Sequence, residues 1–178
     1  MPSERVPASS RRQAIRIVET GMREVFALYD GLPPRARARP GLGGGEWSPK
    51  DLLGHLESWQ EYALEALDAW DEGHGPAIDA VIWSTSTSAL NREAVAGKSS
   101  RRAGDQRRRA QATHDRFVAR LEAMTDPRWR RPGTSRGRTP IGSRLGDLLG
   151  DGGAGPFRHA DAHLPQLRAF AAGFSERR

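Results

Sequence analysis

Apolar residues recur at helical spacing along most of the chain. Between Ser9 and Leu32 they fall at Ile15, Val18, Met22, Val25, Phe26, Tyr29 and Leu32, one face of an amphipathic helix. Pro33 and Pro34 stop it, and the Arg/Pro/Gly-rich stretch through Gly45 keeps neither helical nor strand periodicity, so it reads as a loop. The chain starts again at Ser48, suited to an N-cap. Pro49 follows in the first turn, where its missing N–H costs no bond, and Asp51 lies near the positive helix end. Leu52, Leu53, Leu56, Trp59, Tyr62, Ala63, Ala66, Leu67 and Trp70 continue this second helix towards Gly73. Ile78 to Thr87 reads as a crossover loop that packs Trp83 inward. A third helix, bent or broken around Gly97 to Gly104, carries Leu90 and Val95 and then Ala110, His114, Phe117, Val118, Leu121 and Met124. Beyond a basic loop from Arg128 to Pro140, Leu145, Leu148 and Leu149 mark a short helix. The last helix runs from about Pro156 to Gly173, with a kink expected at Pro165 because an interior proline removes a backbone hydrogen bond.

Four amphipathic helices without alternating strand runs predict an all-α fold, a four-helix bundle with long crossover loops. The pattern places one domain over residues 9–174, with disordered tails expected at 1–8 and 175–178. No apolar run approaches the roughly 18–20 residues that span a bilayer, so no membrane segment is expected. The first residues lack the apolar core of a secretory signal, which makes a cytoplasmic location the expectation.

Composition narrows the chemistry. The chain has no cysteine, which excludes disulfides, thiolate zinc sites, iron–sulfur clusters and a cysteine nucleophile. Residues 101–138 hold twelve arginines against four acids. Nucleic-acid binding is nonetheless disfavoured, because the segment carries no recognition motif or interleaved aromatic ladder and reads as a solvated helix face plus a loop. No nucleophile elbow, phosphate-binding loop or dinucleotide fingerprint is present.

Five histidines remain as the scarce reactive residues. His55 lies one turn after Leu52 and one turn before Trp59, on the apolar stripe of the second helix, and points into the bundle. His159 and His163 stand four residues apart, so both imidazoles share a helix face and can meet one metal ion. Together the three offer a three-nitrogen site with open positions, the arrangement of a Lewis-acid or water-activating metal. Each has a plainer alternative: His55 as a hydrogen-bonded core residue, the pair as a polar patch on a helix. His114 reads as core and His74, between glycines, as exposed; Glu57 and Asp161 point away from the triad by helical spacing. Trp59, one turn from His55, and Trp83 are aromatic candidates for a pocket that grips a partly polar organic molecule.

The segment Trp47-Ser48-Pro49-Lys50-Asp51-Leu52-Leu53-Gly54-His55-Leu56 with Trp59 resembles the second-helix signature of the DinB-like (DinB/YfiT) superfamily. The stretch from Phe157-Arg158-His159 through His163-Leu164-Pro165 to Phe170 resembles the closing helix of its ClbS/DfsB branch, and Leu90-Asn91 fits the same branch. At Ala160 the branch suggests an aromatic instead. The resemblance implies a four-helix bundle in which His55, His159 and His163 hold a divalent metal (nickel, zinc or iron), with Asn91 joining Trp59 and Trp83 in substrate contact. It further implies an enzyme, a hydrolase or a transferase using a low-molecular-weight thiol, that acts on an electrophilic small molecule in detoxification or self-resistance. A metal-free protein of the same fold that sequesters its ligand is the alternative. Self-association as a homodimer through an exposed helix face stays open.

Overall fold

The computed structural model describes residues 10–150 and 153–175. The expected tails at 1–8 and 176–178 lie outside those residues, while Ser175 closes the last helix. Four long helices form the bundle: α1 (Arg11–Gly31), α2 (Pro49–Asp71), α5 (Ala103–Ala123) and α8 (His159–Ser175). Between them run α3 (Ala77–Ser84), α4 (Thr87–Ala96), α6 (Asp126–Trp129) and α7 (Ile141–Leu148). No strand occurs among the described residues. Helix α2 packs on α5 and α1 on α8, and α1–α5 and α2–α8 contacts close the ring.

Local signals account for the long helices. Ser10 caps α1 by accepting from the Gln13 N–H at 3.2 Å. Ser48 and Asp51 form a reciprocal capping box with Pro49 in the first turn of α2. Two apolar clusters fill the interior. One gathers Met22, Phe26, Leu52, Leu53 and Leu56, the other Trp59, Leu67, Phe117, Leu121 and Trp129. His55 sits within a turn of the changeover from the first to the second along α2. Ala160 is buried where α8 crosses α1. A Cβ on the facing Gly21 would lie 3.0 Å from the Ala160 Cβ and 2.7 Å from Asp161 Oδ1, so an aromatic at 160 would collide with this crossing.

Three expectations need correction. The segment after Pro76 is not a crossover loop but an eight-residue helix. Its opening N–H, on Ala77, donates to Glu65 Oε1 of α2 at 2.9 Å, a cap supplied by tertiary contact. Trp83 does not pack inward: it is 90% exposed. Helix α3 buries Ile78, and five residues on, at 100° per residue, Trp83 is turned about 140° away. The final helix begins at His159 rather than near Pro156, because Phe157 adopts a left-handed φ of 63° and its buried ring stacks on Trp129. The break expected in the third helix is present as two separate helices, α4 and α5. Helix α8 continues through Pro165.

The connector between α4 and α5 is fastened to α2 by a buried charge network. Glu57, 2% exposed, accepts from Arg101 Nη1 at 2.8 Å and lies 3.2 Å from Lys98 Nζ. Gln106 Nε2 also donates to this carboxylate, and Lys98 reaches Glu61 and the Gly54 carbonyl.

Candidate metal centre and cavity

Helix α2 carries His55 inward, and the i, i+4 register of α8 aims His159 and His163 at the same point. One donor atom from each ring lies within 4.8 Å of the others. His55 Nε2 and His159 Nε2 are 2.8 Å apart, and the ring centroids are separated by 4.7, 5.1 and 5.2 Å. Ligand nitrogens about 2.0–2.1 Å from a tetrahedral zinc ion are about 3.3 Å from one another, so the rings need shift only slightly to hold one. Imidazole nitrogen suits zinc, nickel and iron alike.

Electrostatics agree with a ligand role. Burial pushes the His55 pKa down to about 2, with the neighbouring His159, His163 and Lys98 acting in the same direction. His55 therefore stays neutral, as an imidazole must to donate a lone pair. Its Nδ1 is buried without a hydrogen-bond partner. Nδ1 of His163 lies 2.5 Å from the Gln166 side-chain amide. As oriented, the amide Nε2–H donates to Nδ1; turned over, its oxygen would accept from Nδ1–H and leave His163 Nε2 free as the donor atom. Three imidazoles that converge with an open side fit a divalent cation.

The open side faces a cavity of about 590 Å³, within the usual range for small organic ligands. Trp47, Trp59 and Trp70 supply aromatic wall; the Trp47 ring centroid is 5.0 Å from His55 and that of Trp59 is 5.9 Å from His159. Ile78 and Ile82 of α3 face them. Asn91 of α4 lines the cavity and accepts from Trp59 Nε1 at 2.9 Å, so the expected Trp59 and Asn91 meet there. Trp83 lies outside the lining. Trp70 serves both core and cavity wall.

His114 is buried in the core, 3.3 Å from the Gln60 amide through Nδ1, with its pKa lowered by burial. His74 is exposed beside Glu72. Glu57 and Asp161 engage Arg101 and Arg158 instead of the triad. Sequence reasoning missed Asp79, Arg144 and Asp147 in the cavity wall, with Arg144 Nη2 paired to Asp79 Oδ1 at 2.5 Å. Asp79 and Arg144 stand 65 residues apart, and no local pattern links them.

Fold and site together define an all-helical bundle with an open three-histidine cluster at a ligand-sized cavity. The chain belongs to the DinB superfamily, whose model matches residues 18–150. Its fold is shared with the colibactin self-resistance protein ClbS, crystallised in complex with a dsDNA: TM-score 0.72, 17% identity, 92% of this chain and 97% of ClbS covered. An uncharacterised protein from Escherichia coli UTI89 has the same fold, with TM-score 0.73, 15% identity and 97% and 98% of the two chains covered. No curated protein sequence matches at a significant level. The expectation against nucleic acid finds no support in a structural neighbour that holds DNA. No helix among the described residues is long and apolar enough to cross a membrane.

Proposed function

We propose that this DinB-superfamily protein is a metal-dependent enzyme, a hydrolase or thiol-dependent transferase, that removes an electrophilic small molecule in detoxification or self-resistance. The observation that carries the reading is the convergence of His55, His159 and His163 at the cavity. The fold shared with a self-resistance protein supports the protective role. A divalent cation held there supplies Lewis acidity to a nucleophile, water or a low-molecular-weight thiol, at neutral pH. The chain itself does the rest. His55 stays neutral through burial, Gln166 orients His163, and Trp47 and Trp59 border the reacting centre. Asn91 fixes the Trp59 indole through its side-chain oxygen. The volume admits a drug-sized substrate.

Elemental analysis of untagged protein tests the reading. About one nickel, zinc or iron ion per chain is expected, lost in His55→Ala and His163→Ala. Absence of bound metal after reconstitution with each ion, together with saturable ligand binding, would establish metal-free sequestration instead.

A second reading is favoured by the DNA in the ClbS complex and by residues 128–138, which hold five arginines and no acid. Arg130, Arg131, Arg136 and Arg138 are all exposed. In this reading the substrate is met on or beside nucleic acid. Its mark is binding to duplex DNA whose affinity falls steeply with salt, and salt-insensitive failure to bind removes it.

A further inference from the structure

Away from the histidine cluster, the described charges in the cavity wall are not balanced. Among the described residues, the charged side chains that line it besides the histidines are Asp79, Arg144 and Asp147. Arg144 is neutralised by its bond to Asp79. Among the described residues the Asp147 carboxylate has no hydrogen-bond or ion-pair partner, and it stands exposed at the cavity rim, one turn after Arg144. It lies in the last turn of α7, which contains no basic residue, so the negative end of the helix adds to its field. The rest of the wall is indole and aliphatic surface from Trp47, Trp59, Trp70 and Ile78.

We infer that the cavity selects a ligand with an apolar, partly aromatic body and a protonated amine, whose ammonium group pairs with Asp147 on the α7 wall. The inference rests on the cavity as the ligand site of the proposed function and adds the chemical class of the ligand. An ammonium brings the opposite charge to Asp147, and the indole surface of the same cavity favours a cation as well. A carboxylate in the same position meets Asp147 as a like charge, while the guanidinium that would attract it is already engaged by Asp79.

The test uses metal-stripped full-length protein at pH 7.4 and 0.15 M salt, with the intrinsic tryptophan fluorescence of the cavity as signal. Three probes of one shape are titrated: 4-phenylbutylamine, 4-phenylbutanol and 4-phenylbutyrate. The amine is expected to bind at least tenfold tighter than the alcohol, and the carboxylate weaker than both. Asp147→Asn should reduce amine affinity about tenfold and leave the alcohol unchanged. Arg144→Gln, which frees Asp79, should tighten the amine further. Equal affinities, a preference for the carboxylate, no saturable binding, or an amine preference that survives Asp147→Asn each overturn the inference. Metal content is measured on a portion of each preparation before stripping. Loss of metal binding at the histidines bears on the proposed function, whereas loss of amine selectivity with metal loading intact bears on this inference alone.

Discussion

A methyl group on Gly142 would fall inside the van der Waals envelope of the Trp129 indole, a side chain only 3% exposed and stacked against Phe157. Gly142→Ala should therefore cost about 1–3 kcal/mol, seen as a lower urea midpoint with unchanged slope. His114 gives a pH signature. Burial lowers its folded-state pKa below 6.5, so its contribution is present above about pH 6.5 and is lost as pH falls towards the folded value, where only the unfolded chain takes up the proton. His114→Gln should flatten the loss of stability between pH 6.5 and 5.5 by at most about 1.4 kcal/mol per pH unit, measured by denaturation in chelator. The histidine triad was legible in the sequence because helical spacing alone fixes which residues share a face: His55 with Leu52 and Trp59, His159 with His163. Trp83 was misread because an aromatic in an apolar run invites burial. Its helix has one buried residue, and the five-residue offset from Ile78 turns the indole to solvent.

Helix α3 itself shows why elements are harder to read when their caps come from elsewhere. Pro76 and the first-turn Asp79 fit a helix start, but no side chain of the segment caps it; the partner of the first N–H is Glu65, twelve residues earlier on α2. Glu65→Ala should cost about 1 kcal/mol locally and speed amide exchange across residues 77–84, leaving exchange in α5 unchanged. The α4–α5 connector depends on a carboxylate in the same hidden way. Glu57→Gln keeps the shape but removes the counter-ion of Arg101 and one of two for Lys98, both partly solvated at 25% and 11% exposure. A loss of about 2 kcal/mol is expected by chemical denaturation, below the full cost of breaking a buried pair because solvent and Glu61 screen the remainder. Periodicity places Glu57 off the ligand face but does not reveal that it is 2% exposed, since that depends on cations 41 and 44 residues away arriving on top of it.

At the scale of the molecule, the bundle was legible from four amphipathic stripes and their stops, whereas the cavity was not. Its wall combines residues from α2, α3, α4, α7 and α8, and a pocket formed by five helices leaves no mark on any one of them. A cation bound by the three histidines would join α2 to α8 and stabilise the folded chain by mass action. At an ion concentration about a hundredfold above Kd the gain is about 2.7 kcal/mol, a rise in Tm of about 5–10 °C, which His163→Ala should abolish. The two nearest members of that cluster, His55 and His159, are 104 positions apart in the sequence. During synthesis α2 leaves the ribosome long before α8 exists, and until then the nascent bundle offers a single imidazole of the triad, too few to retain an ion at this site. Metal uptake would therefore come last, after translation has passed the closing helix, and a fragment cut anywhere ahead of residue 159 would be discarded from the metal-bearing pool without any separate inspection.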